Sequence, residues 1–92
     1  MDELAELWVE LIGLFAGMIG VVAWVPQIRE VWFTGRHEGI SLPTFGLIAT
    51  ALSAWLVYGV LIRSLSIILA NLAALGCISL IILGVIRLRG RD

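Results

Sequence analysis

Residues 42–86 read LPTFGLIATALSAWLVYGVLIRSLSIILANLAALGCISLIILGVI, and the only charged side chain among them is Arg63. An apolar helix needs about 20 residues to cross a hydrocarbon core. The run therefore holds two crossings, 42–62 and 65–86, separated by nothing more than Arg63 and Ser64. So short a connection makes the two segments antiparallel neighbours. Lipid offers backbone N–H and C=O groups no water to bond, so both segments are read as helices.

Working outward from that pair, a third apolar run precedes it. Leu11 to Ile28 carries no charge, is bounded by Glu10 and by Arg29 with Glu30, and continues as amphipathic helix to Trp32 or Phe33. A polar loop with two glycines, Thr34 to Gly39, links it to the second run, and the chain closes on Arg87-Leu88-Arg89-Gly90-Arg91-Asp92. Of the 92 residues 61% are hydrophobic and 14% charged, against about a quarter charged in soluble domains. The reading is an all-α membrane protein, one unit of three transmembrane helices with spans of about 11–32, 42–62 and 65–86. A net charge of -1 argues against a nucleic-acid partner, which would need a basic stripe. The acidic start (Asp2, Glu3, Glu6, Glu10) is unlike the basic start of a cleaved signal peptide. Cys77, the single cysteine, has no internal partner and reads as a small hydrophobe inside the third run.

Arginines set the orientation, since there is no lysine. Three spans put the 34–39 loop and the C-terminus on one side, with Arg29, Arg36, Arg87, Arg89 and Arg91. Arg63 alone falls on the other side, with the N-terminus. The side richer in positive charge is cytoplasmic, which places the N-terminus outside and the C-terminus inside. Trp8 and Trp32 bracket the first span near its two interfaces, where amphipathic rings prefer to lie.

The informative residues are the exceptions inside the spans. Pro26 removes a backbone donor and clashes with the preceding turn, so Pro26-Gln27 marks either a hinge or a static kink in the first helix. Gln27 is suited to bond the carbonyl that the proline frees, or to line a polar cavity. Asn71 lies six residues into the third span and Trp55 seven before the end of the second. At 1.5 Å per residue both stand roughly 10 Å below the outer surface. An amide bonds hydroxyl groups and a flat indole packs on the C–H face of a sugar ring, so the pair is suited to a neutral polyol. The competing reading has Asn71 bonding a neighbouring helix, and Thr50 and Ser53 nearby tilt the balance toward a site. Gly13, Gly17 and Gly20 form a small-residue face for close helix packing, and His37 reads as a solvated loop residue. Catalytic triads, metal-ligand clusters and phosphate-cradling loops are all missing, so neither an enzyme nor a cofactor is expected. Leu11–Ile28, Leu42–Ile62 and Leu65–Ile86 hold no Asp, Glu, His, Lys or Arg, and coupled transporters usually keep such groups as relays. Transport by this chain is expected to be passive.

Pro26-Gln27, then Trp55-x-x-Tyr58-Gly59, then Asn71, in that order in a three-helix chain, resembles the bacterial SemiSWEET sugar transporters of the PQ-loop superfamily. The loop from Thr34 to Pro43 is similar to their inner loop, and the likeness runs from about Ile12 to Ile86. The resemblance implies a bundle whose third helix packs between the first and second, working as a parallel homodimer with the route between the subunits. It also implies that Trp55 and Asn71 contact the sugar, that Pro26 and Gln27 form the hinge for alternating access, and that Tyr58 and Arg63 belong to the outer gate. The chain departs from the pattern in three places. No acid lies between Gly59 and Asn71 to pair with Arg63, so Glu6 or Glu10 becomes the candidate partner. Ser66 stands where a proline is common, and Leu47 to Leu52 offers only a small plug for an inner gate.

The function expected is facilitative uniport of a neutral mono- or disaccharide across a bacterial inner membrane. One alternative is a PQ-loop transporter of another solute such as an amino acid, which requires a charged group at the pocket. Another is a small membrane assembly protein that transports nothing, in which Trp55 and Asn71 face helix neighbours.

Overall fold

The computed structural model describes residues 2–91. It consists of α1 (Glu3–Trp32), α2 (Leu42–Leu61) and α3 (Leu65–Gly90), each long and apolar enough to cross a membrane. α1 begins well before the apolar run at Leu11, and α3 continues into the basic tail. Every helix starts on a side-chain acceptor that satisfies a free N–H of its first turn. Asp2 takes the Ala5 N–H at 2.7 Å, Ser41 the Thr44 N–H at 3.3 Å, and Ser64 the Ile67 N–H at 3.3 Å.

The tight turn between α2 and α3 closes by a Schellman pairing. Ser64 N–H donates to the Gly59 carbonyl at 2.9 Å and Arg63 N–H to the Val60 carbonyl at 3.2 Å. This pairing places Arg63 at φ 58°, the left-handed region usually given to glycine.

α3 lies in the middle. Its backbone runs against both α1 and α2, while the backbones of α1 and α2 do not meet. Glycines set the closeness of the seams. A Cβ on Gly13 would stand 2.5 Å from Ser66 Oγ, and one on Gly17 would stand 2.8 Å from Ala70 Cβ. Gly20 has nothing within 4 Å, so of the expected glycine face only the Gly13–Gly17 pair serves the α1–α3 seam. On the other seam a Cβ on Gly59 would meet Ile67 Cγ2 at 2.6 Å.

The buried core gathers at the end that carries the 34–41 loop. Val31, Ile40, Ile81 and Val85 form it, flanked by Trp24, Ile28, Leu42, Phe45 and Leu88. Trp32 locks the same end, donating its indole N–H to the Leu80 carbonyl at 2.9 Å under the Arg87 guanidinium, 5.3 Å from the ring. Elsewhere large apolar side chains point outward, Phe15 at 67% and Leu47 at 72% exposure among them. Such an outside is suited to acyl chains and not to water.

Candidate functional site

Away from the loop end, α1 and α2 stand apart on either side of α3, and the gap between them is a cleft. Its volume is about 370 Å³, and it is lined by Gly13, Ala16 and Gly17 of α1, Trp55 of α2, and Ser66, Ile67, Ala70 and Asn71 of α3. Trp55 and Asn71, chosen from the sequence for their residue types, their shared depth and the family resemblance, sit on different helices and wall the same space. The close α1–α3 approach at Gly13 and Gly17 leaves the α1 wall almost bare of side chains, which widens the cleft.

Asn71 donates one amide N–H to the Ile67 carbonyl of its own helix at 2.7 Å. Among the described residues that is its one side-chain hydrogen bond, so Oδ1 and the second N–H remain for a solute. The carbonyl it uses lies one turn back and fixes the side chain against α3. Trp55 is 55% exposed. Its ring meets Tyr58 edge-on, with centroids 5.3 Å apart and planes at 89°, a favoured aromatic geometry. Ala51, Ala54, Trp55 and Tyr58 form one stripe of α2 beside a second recess of about 540 Å³. A third recess of about 520 Å³, between Leu14, Met18, Val22, Leu69 and Ala73 among others, is walled almost wholly by carbon and has little to offer a polar solute.

Several side chains lie otherwise than the sequence suggested. The Thr50 and Ser53 hydroxyls do not line the cleft; they donate to the Gly46 and Ala49 carbonyls of their own helix at 2.9 and 2.8 Å. Back-bonding of this kind is how hydroxyls lose their polarity in apolar surroundings. Glu10 does not serve Arg63. Its carboxylate accepts the Ser66 backbone N–H at 2.7 Å and the Ser64 hydroxyl at 2.8 Å, capping α3 from α1. A proline at position 66 would have no N–H to give, so Glu10 and Ser66 form a matched pair. Pro26 lies inside a helix that stays continuous to Trp32, and Gln27 is half-buried and makes no hydrogen bond to the freed Val22 carbonyl.

His37 is not simply solvated. Arg89, near the end of α3, donates from Nε to His37 Nδ1 at 3.2 Å and from its terminal nitrogen to the His37 and Ile40 carbonyls at 3.0 and 2.6 Å. At the same end the Trp24 and Phe45 rings meet edge-on across α1 and α2, with centroids 6.0 Å apart. Sequence reading named neither contact. The available signal for the first was a pair of loop carbonyls bound to need a donor, and for the second an aromatic residue near one end of each helix.

The PQ loop repeat family matches residues 8–68. The sugar transporter SemiSWEET of Leptospira biflexa is 33% identical over 72 residues, 78% of this chain and 85% of that protein. The sugar transporter SemiSWEET of Escherichia coli is 31% identical over 65 residues, 71% of this chain and 73% of that protein. A crystal structure of a bacterial homologue of SWEET transporters superposes with a TM-score of 0.84 at 40% identity, covering 88% of this chain and 98% of that one.

Proposed function

The chain belongs to the PQ-loop repeat family, and on that premise we propose that it carries a neutral mono- or disaccharide across the membrane by facilitative uniport. The observation that carries this reading is the cleft shared by Trp55 and Asn71, an exposed indole and a half-free amide with no ionisable side chain on its walls. Relatives named as sugar transporters support the solute class. The cleft lacks the charged group that an amino acid would need. The amide of Asn71 bonds its own helix and not a neighbour, which speaks against a purely structural role for it.

A single bundle leaves the cleft open along its side, and three helices do not enclose a path as wide as a sugar. Two copies in parallel, cleft facing cleft, would put two Trp55 and two Asn71 around one central pocket, with the route between subunits. Parallel repeats about an axis along the membrane normal are a known transporter design. In the proposed cycle Pro26 and Gln27 provide the bend, Tyr58 and Arg63 close the end with the tight turn, and Trp24 against Phe45 closes the loop end. Five arginines at the loop end favour the cytoplasmic side for it, with the N-terminus outside and a bacterial inner membrane as the setting.

Uptake of labelled glucose and sucrose into proteoliposomes tests the proposal, with Asn71→Ala and Trp55→Ala beside the native chain. Saturable native uptake of one sugar, lost in variants that remain folded, is the expected result. No uptake of any neutral sugar by well-folded protein would overturn it.

A further inference from the structure

The loop between α1 and α2 is their sole covalent link, and one side chain from the third helix holds it. Arg89 gives that loop three hydrogen bonds, two to the backbone carbonyls of His37 and Ile40 and one to the ring nitrogen Nδ1 of His37. Ile40 is itself part of the buried core with Val31, Ile81 and Val85. The guanidinium thus fastens the loop to the packed end of the bundle, the end at which side chains of α1 and α2 meet.

The third bond differs in kind from the other two. A carbonyl accepts at any pH, but an imidazole nitrogen accepts only while it lacks a proton. Arginine stays charged throughout, so a proton on Nδ1 would turn donor to acceptor into donor against donor, with two positive charges in contact. The charged groups around the ring work in opposite directions. From α3, Arg89 opposes a positive imidazole. From the loop itself, Glu38 favours one and Arg36 opposes it. α2 brings no charge, and Glu30 of α1 reaches the loop through its backbone carbonyl, which takes the Arg36 N–H at 2.9 Å. The Glu38 carboxylate accepts the His37 backbone N–H at 3.0 Å, and backbone N–H groups of Glu38 and His37 hold its carboxyl below the usual range. The Glu38 carboxylate is thereby favoured in its ionised form. The His37 ring thus bonds Arg89 only while Nδ1 is free, and the nearby Glu38 charge favours the protonated ring without bonding it.

We propose that the Arg89–His37 contact is a proton-sensitive latch: with His37 neutral all three Arg89 bonds fasten the α1–α2 loop to α3, and with His37 protonated the loop is loosened to the two carbonyl bonds. Arg89 and His37 are positioning residues in this scheme, since neither touches the cleft. The consequence for transport rests on the sugar-carrier reading: opening toward the loop end requires the loop to loosen, so sugar exchange speeds up as the loop-side pH falls.

Hydrogen exchange of the 34–41 backbone in lipid nanodiscs, corrected for the intrinsic pH dependence, reads the latch without reference to transport. Equilibrium exchange of labelled sugar in proteoliposomes, at equal pH on both faces, reads its consequence. Losing one bond to a charged group predicts roughly tenfold weaker loop protection at about pH 5.5 than at about pH 8. His37→Asn keeps an acceptor near the same place and cannot titrate, so its loop should stay protected at both pH values and its sugar exchange should lose the acid acceleration. Arg89→Gln should leave the loop weakly protected throughout. Native loop protection that ignores pH, or a His37→Asn chain that keeps the native pH response, overturns the latch. Absence of sugar flux at every pH together with a pH-responsive loop strikes the carrier reading and leaves the latch standing.

Discussion

Glu10 on α1 accepts the backbone N–H of Ser66 on α3 at 2.7 Å, so an acid from one helix caps the start of another. The Ser64 hydroxyl binds the other carboxylate oxygen at 2.8 Å, and a negative charge at a helix N-terminus is favourable in itself. Charge-assisted bonds of this kind are stronger than neutral ones. Glu10→Ala should lower the thermal midpoint in detergent clearly, and Glu10→Gln, which keeps one acceptor, by less. Ser66→Pro should behave like Glu10→Ala, because it removes the donor from the other side. A double variant no worse than either single one would show that the two act as one unit.

Arg63 occupies a left-handed backbone position, at φ 58°, where a side chain costs about 1–2 kcal/mol relative to glycine. Arg63→Gly should therefore raise stability, offset in part by the extra freedom of glycine in the unfolded chain. If the guanidinium serves the gate at the tight turn, the same variant should show altered exchange kinetics despite its higher melting temperature. Higher stability with native exchange would assign Arg63 to the turn alone.

Gly84 is the point at which α3 makes room for the end of α1. A Cβ there would stand 2.5 Å from Val31 Cγ1 and 2.9 Å from Trp32 Nε1. Gly84→Ala should cost about 1–3 kcal/mol by overpacking and push Trp32 off the Leu80 carbonyl. Tryptophan fluorescence in a chain retaining only Trp32 should then shift to the red. Gly76→Ala, at a position with nothing within 4 Å in the bundle, is the matched control and should leave that emission unchanged.

The apolar runs Leu11–Ile28, Leu42–Ile62 and Leu65–Ile86 carry no charge except at the turn residue Arg63 between the last two, and no charged side chain lines the cleft. Flux down a sugar gradient should survive an uncoupler that removes the proton gradient at constant pH. Loss of equilibrating flux under those conditions would exclude uniport. The latch at His37 does not alter this expectation, since it responds to pH and not to the gradient.

What the sequence made legible follows from the physics of each feature. Lipid allows few backbone solutions, so the uncharged runs around Arg63 and before Arg29 were enough to define three helices. Depth is a linear function of residue number along a helix, so Trp55 and Asn71 could be placed at one level without knowing how the helices pack. Rotation about the helix axis is set by the neighbours, and no count along the chain supplies it. That is why Gly20 fell outside the seam that Gly13 and Gly17 make, and why the Thr50 and Ser53 hydroxyls turned to their own carbonyls. Glu10 and Arg89 lie more than 48 residues from the groups they bind. Only the folded path brings those groups together, and the family order of motifs holds no sign of either.

Pro26 is the remaining test of motion. α1 stays helical through it, so the Val22 carbonyl lacks its usual partner, and Gln27 does not replace it. On one side of this weak point α1 is fixed to α3 by Glu10 and by the contacts at Gly13 and Gly17. On the other side it is fixed by Val31 and by the Trp32 bond to Leu80. Alternating access requires one of these attachments to shift while the other stays, and a helix with one bond missing between them bends there first. Pro26→Ala restores the bond and removes a ring clash, which together are worth about 3 kcal/mol in a helix interior. The variant should melt higher, bind sugar with native affinity by tryptophan fluorescence, and exchange it several-fold more slowly. Slow exchange with native binding would place the hinge at Pro26; a chain that is stabilised and still exchanges at the native rate would move the bend to the tight turn at Arg63.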